Sequence, residues 1–307
     1  MAFRPTSDHS SPTHPGYKND RESRSEILIG TEVECDDNYR VRPTLSPLAL
    51  SDLFDEIGNG RTYCKHDGSL NDGVELISEP STLAHHMYCI RWKALCKAAT
   101  KHGYRSHDTN TCGQHVHVGR EQLGNTDAER AEVIWKVQMF LGKFKSQVVR
   151  FSRRDLSDLN QWARLDNLAV RTAGFSGDQL RDYAVSHYET YHNDHGHHYD
   201  SARYVAVNVN NRNTVEIRIF KGTLKRDTPI ANLQFVHNVF KWAMTHSWDD
   251  LATATFTDVA LCYPYNEIVG YMAHRGLVPS DFTVNTLPSS GRAPEFTGRD
   301  GTTALRG

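Results

Sequence analysis

The sequence predicts an α+β domain: a mainly antiparallel sheet backed by helices. Three observations predict it. Short segments of alternating character outnumber any strand–helix–strand rhythm, long helical patterns interrupt them, and four of the short segments carry acidic or imidazole side chains at alternate positions. A parallel doubly wound sheet would need the βαβ rhythm that is missing.

The clearest short segment is Cys112-Gly113-Gln114-His115-Val116-His117-Val118-Gly119. At the strand period of two, His115 and His117 project from one face and Val116 and Val118 from the other. Ile29-Gly30-Thr31-Glu32-Val33-Glu34 repeats the design with two glutamates opposite Val33. In Gly73-Val74-Glu75-Leu76-Ile77, Glu75 stands between two apolar residues, and in Thr214-Val215-Glu216-Ile217-Arg218-Ile219-Phe220, Glu216 and Arg218 share a face. One sheet holding all four strands has a polar face with four glutamates, two histidines and an arginine. Clustered carboxylates raise one another's pKa unless a cation sits among them, so this face reads as a metal-binding floor.

The remaining elements follow in order. Residues 1–25 carry Ser, Pro, His and Arg without apolar periodicity and read as a disordered tail or a leader. Leu45 to Ile57 reads as a short helix before the turn Gly58-Asn59-Gly60. Tyr63 to Leu70 reads as a strand ending in an Asp-Gly turn, paired with the Glu75 strand. Ser81 or Thr82 caps a helix of about twenty residues, through Met87, Ile90, Leu95 and Ala98, stopped by Gly103. Thr126 and Glu129 form a capping box for a long helix with Val133, Val137, Phe140, Leu141 and Phe144 on its apolar face. Residues 152–202 are less regular and read as a specificity insert. Its His-rich stretch, His187 to His198, reads as a polar loop on the substrate side. Arg203 to Asn210 and Thr214 to Phe220 form a strand pair, Asp227-Thr228-Pro229 opens a helix through Met244, and a last helix spans about Asn266 to His274. The domain therefore covers 26–285, with 286–307 a second disordered tail.

Composition narrows the function. Of 307 residues, 38% are hydrophobic and 23% charged, with a net charge of −2, which is ordinary for a globular chain and gives no electrostatic reason to expect nucleic acid or an acidic membrane. The basic run Arg150-Phe151-Ser152-Arg153-Arg154 reads as a solvated helix end beside Asp155 and Asp158. The six cysteines form no Cys-x-x-Cys pair, and no apolar run approaches the length of a membrane span, so a reducing, cytoplasmic setting is expected. The ligand mixture on the polar face, mostly carboxylate with imidazole, suits Mg²⁺ or Mn²⁺ better than zinc. No phosphate-binding glycine loop is present, so nucleotide phosphates would be held by metals and by Arg218, Arg203 and Lys65.

Five motifs occur in one order: Gly30-Thr31-Glu32-Val33-Glu34; Lys65-His66-Asp67-Gly68-Ser69-Leu70; Gly73-Val74-Glu75-Leu76-Ile77-Ser78-Glu79-Pro80; Cys112 to Val118; and Val215-Glu216-Ile217-Arg218-Ile219-Phe220-Lys221-Gly222-Thr223-Leu224. This set, over roughly residues 26–245, resembles the amidoligases of the glutamine synthetase-like superfamily, many from bacteriophages and mobile gene clusters. The resemblance implies an ATP-dependent carboxylate–amine ligase using two or three Mg²⁺ or Mn²⁺ ions and an acyl-phosphate intermediate. By similarity, Glu34 and Glu75 bind the metal nearest the substrate, while Glu32, His115 and Glu216 bind the metal bridging the phosphates. His117, Arg218, Arg203 and Lys65 contact the nucleotide, and Arg218, Arg203, Lys65 and Asp67 are the catalytic candidates. One clear glutamate, Glu75, stands where glutamine synthetase supplies two, with Asp67 or Glu79 available for the missing carboxylate.

The expected partners are therefore an amino-acid, peptide or small-metabolite acid and an amine, with no membrane and with nucleic acid disfavoured. Homo-oligomerisation is left open. A deamidase or guanidine phosphotransferase on the same fold, a metal-dependent nuclease and a non-enzymatic interaction protein are the competing readings. The last leaves the recurrence of glutamates on one side of several strands unexplained.

Overall fold

The computed structural model of the protein describes residues 26–37, 42–166, 168, 171–193 and 204–282. Both expected tails and Arg203 lie outside the described residues. Among those described, six strands form one antiparallel sheet: β1 (Ile29–Cys35), β2 (Thr62–Lys65), β3 (Val74–Ser78), β4 (Gly113–Gly119), β5 (Val207–Asn208) and β6 (Thr214–Lys221). Their spatial order is β2-β3-β1-β4-β6-β5. The helices are α1 (Pro47–Gly58), α2 (Leu83–Tyr88), α3 (Trp92–Lys101), α4 (Asp127–Lys143), α5 (Lys145–Ser152), α6 (Leu156–Trp162), α7 (Gly177–Asn193), α8 (Asp227–Thr245), α9 (Trp248–Thr253), α10 (Phe256–Ala260) and α11 (Asn266–His274). The architecture is α+β. No helix among the described residues is long and apolar enough to cross a membrane.

One face of the sheet is the core. Val33, Val116, Val118, Val215, Ile217 and Ile219 are all buried there. Helix α8, buried along most of its length, lies behind the sheet with Phe235 stacked on Phe151 at 4.4 Å and edge-on to Phe220. Gln114 fixes this contact from inside. Its amide donates to Thr31 Oγ1 and Pro229 O and accepts from Asn232 Nδ2 at 2.8 Å, so a fully buried amide is satisfied from two layers at once.

Strand β6 departs from simple alternation. Val116 opposes Ile217, but Gln114 opposes Phe220, so two β6 residues fill the space of one opposite His115. This bulge keeps Phe220 on the core face, where strict alternation would have put it beside Arg218.

Several local expectations are corrected. The single helix from Thr82 to Gly103 is two helices. Thr82 Oγ1 does cap the first, but the chain turns at Cys89–Arg91 and α3 restarts at Trp92, which stacks on buried His86. The His-rich stretch is helical from His187 to Asn193, and its remainder, 194–198, lies outside the described residues. Ser176 and Gln179 cap that helix reciprocally, and Leu180, Tyr183, Ala184 and His187 follow its i, i+3, i+4, i+7 stripe, with Leu180 and Ala184 buried. The apolar half of the stripe begins upstream of the histidines, which is why a reading centred on them misses it. The expected strand from Arg203 is, where described, only Val207–Asn208. The basic run at 150–154 is no solvated end, since Phe151 is fully buried in the core and Arg154 is 8% exposed.

Candidate active site

The strand register gathers the polar face. Across β1 and β3 Glu34 stands opposite Glu75; across β1 and β4 Glu32 stands opposite His115; across β4 and β6 His117 stands opposite Glu216. Directly opposed residues share a face, so all six converge. The His115 ring is central. Its Nδ1 lies 3.3 Å from Glu32 Oε2 and 3.5 Å from Glu216 Oε1, while its Nε2 lies 4.0 Å from Glu34 Oε1. Two groups of potential metal ligands result, Glu32–His115–Glu216 and Glu34–Glu75–His115, each with ligand atoms within 4.8 Å of one another.

The two groups differ electrically. Burial works to raise the Glu32 carboxyl, but His117 and His115 beside it hold it well below the ordinary carboxylate range. Burial opposes a charged His117, yet Glu32, 3.2 Å from its Nε2, helps lift the imidazole to about 9. Glu216 is held below its usual range against burial by His117, His115 and Arg218. On the other side burial pushes Glu75 well above its usual range, and Glu32, Glu34 and Asp67 push it further. Glu34 is raised too, by burial, with His115 as a partial offset. A divalent cation at Glu34 and Glu75 would favour the charged form of both, and hard oxygen donors suit Mg²⁺ or Mn²⁺. The donor set therefore fits such ions.

Outer contacts aim these side chains. The Gly113 N–H donates to Glu34 Oε2, and Asn208 Nδ2 donates to Glu216 Oε2 at 2.8 Å. Arg218 Nη1 binds Glu216 Oε1, and its guanidinium lies over the Tyr204 ring at 5.9 Å. Beside the sheet opens a cavity of about 240 Å³ lined by Glu34, His115, Arg218, Asp67, Arg154, Trp162 and Tyr204 among others.

The other sequence-derived candidates are placed as follows. Lys65 pairs with Glu75 across β2 and β3 and shares its face, with its ammonium over the Tyr63 ring at 5.7 Å. Asp67 lines the cavity and bears electrostatically on both Glu34 and Glu75. Glu79 follows β3 and lies roughly 13 Å from Glu75 along an extended chain, towards the Gly30 end of β1. Asp67 is thus the better placed of the two spare carboxylates.

Sequence reasoning missed Arg154, Trp162, Tyr204, Asn208 and Asp36. Asp36 is fully buried and accepts from Asn71 N and Nδ2, Asp72 N and Thr111 Oγ1, so it ties together the loops that carry Asp67 and Thr111. Its position just past Glu34 was the available signal. Gly73 allows the same turn, because a Cβ there would stand 2.3 Å from Cys35 O.

A family described as "Putative amidoligase enzyme" matches this chain over residues 6–240. The chain belongs to that family. As an amidoligase family member it falls in a class whose description points to amide-bond ligation, and its strands β1, β3, β4 and β6, which bear the polar face, all lie inside the matched segment. No curated protein matches the chain.

Proposed function

We propose that this amidoligase is an ATP-dependent carboxylate–amine ligase that works through an acyl phosphate and uses Mg²⁺ or Mn²⁺. The carrying observation is the pair of ligand groups on one sheet face, Glu32–His115–Glu216 and Glu34–Glu75–His115, joined by a single imidazole. Glu32, His115 and Glu216 would hold the ion on the phosphate side, and Glu34 and Glu75, with Asp67, the ion on the acid side. Such ions supply neutralisation of phosphoryl charge during transfer.

The protein's own groups do the rest. Arg218, held by Glu216 and Tyr204, presents guanidinium N–H groups to a transferring phosphoryl. His117 holds Glu32 in place and extends positive charge along the face. The acid's carboxylate oxygen attacks the γ-phosphorus and ADP departs. The amine then attacks the acyl carbon, phosphate departs and the ammonium proton is lost. A partly enclosed cavity limits competing attack by water on the acyl phosphate. The substrates are an amino-acid, peptide or small-metabolite acid and an amine.

The test is purified protein with ATP, Mg²⁺ and pooled amino acids, followed by mass spectrometry. Ligation yields ADP, phosphate and a product lighter by one water than its two substrates together. Ammonia released from an amide without such a product would replace this reading with a deamidase.

A further inference from the structure

Among the described residues, two buried guanidinium nitrogens in the cavity lack a hydrogen-bond partner: Nε of Arg154 and Nε of Arg218. Arg218 spends another nitrogen on Glu216, whereas among the described residues no hydrogen bond or ion pair reaches the Arg154 guanidinium. Such a charge, 8% exposed and without an ion-pair partner among the described residues, is costly to fold around, a cost that a ligand completing it would offset. Glu34 and Asp158 are the acidic groups that bear on it, yet neither forms an ion pair with it. The guanidinium and the Glu34 carboxylate line the same cavity.

The chain is built to hold Arg154 there. Helix α5 ends at Ser152, and Arg153 takes a left-handed conformation at φ 64°, uncommon outside glycine. Arg153 is anchored by its guanidinium to the carbonyls of Lys221 and Gly222 at the end of β6. Arg154 then turns into the site, its N–H donating to Ser152 Oγ. Gly113, whose N–H binds Glu34, makes room for it, since a Cβ there would stand 2.7 Å from Arg154 Nη2 and 3.0 Å from His115 Nε2. Beside the guanidinium the cavity is walled by Trp162 and Tyr204, packed edge to face at 5.6 Å.

We infer that Arg154 anchors the carboxylate of the acid substrate, whose apolar or aromatic chain packs on Trp162 and Tyr204; this rests on the ligase reading above. A carboxylate between Arg154 and the Glu34–Glu75 group meets the planar donor fork on one side and the acid-side cation on the other. The aromatic pair gives its chain an apolar surface.

The probes are butyrate and phenylacetate against their primary amides, titrated calorimetrically into the full chain with Mg²⁺ and a non-hydrolysable ATP analogue. Wild type should prefer each acid over its amide by about tenfold or more. Arg154→Gln should lose that preference, and Arg154→Lys should keep part of it. Because Arg154→Gln removes an unpaired buried charge, its melting temperature should stay level or rise, which a merely structural arginine would not allow. No acid preference in wild type, an undiminished preference in Arg154→Gln, or a matching loss of nucleotide-analogue binding in Arg154→Gln would each overturn the assignment, the last making Arg154 a phosphate contact. A wild type that binds no nucleotide yet shows the Arg154-dependent acid preference would instead remove the ligase reading and leave this subsite standing.

Discussion

His115 Nδ1 lies 3.3 Å from Glu32 Oε2 across the β1–β4 ladder, and the opposite nitrogen of the same ring lies 4.0 Å from Glu34. A neutral imidazole has one lone-pair nitrogen, so it can ligate an ion on one side only. If both groups hold ions, the other would then need another donor.

That donor is expected to be Asp67. Asp67→Asn should weaken Mn²⁺ binding on the Glu34–Glu75 side by roughly tenfold, on the scale of lost metal-site contacts, while Glu79→Gln leaves it unchanged. Calorimetric titration of both variants checks this, and a larger loss from Glu79→Gln would reverse the choice.

Glu34→Gln and Glu216→Gln each keep the side-chain shape and remove one charge from a different group. Each should cut divalent-ion affinity by at least about tenfold and depress nucleotide-dependent turnover. Unchanged metal–ATP binding in both would mean the sheet face is not the metal floor.

The histidines should separate. His115→Ala removes a potential ligand shared by both groups, whereas His117→Ala removes the ion-pair partner of Glu32. Metal affinity should fall further in the first, measured by Mn²⁺ paramagnetic relaxation. Equal losses would make His117 a ligand too.

A pH effect on stability should arise far from the site's chemistry. His86 is fully buried, contacts Ile29 O at 2.7 Å and stacks on Trp92; burial pushes its pKa down to about 4. Above pH about 6.5 neither the folded nor the unfolded histidine is charged. As pH falls from about 6.5 towards about 4, only the unfolded chain takes up this proton, so His86 by itself lowers stability by about 1.4 kcal/mol per pH unit within that window. His86→Gln should flatten this slope while lowering stability at pH 7.5. Parallel denaturation midpoints at pH 7.5 and 5.0 with the same slope in both proteins would rule it out.

The sequence by itself determined the strands and their faces. Period-two alternation around Glu32, Glu75, His115 and Glu216 is local, and residues alternating along a strand share a face in any sheet that uses them. Thr126 with Glu129 and the Pro229 helix were legible for the same reason, because capping depends on neighbours a few residues apart. Only the tertiary structure decided which strands sit side by side, and so which carboxylates come together. It also decided that β6 bulges opposite His115, and that α2 stops short so Trp92 can stack on His86. Arg154 shows the reason most plainly. In sequence it is one of several basic residues after a helix, and solvation is the ordinary fate of such a residue. Its burial depends on a left-handed Arg153, carbonyls at the end of β6 and a missing side chain at Gly113, contacts made across the fold that no local period encodes.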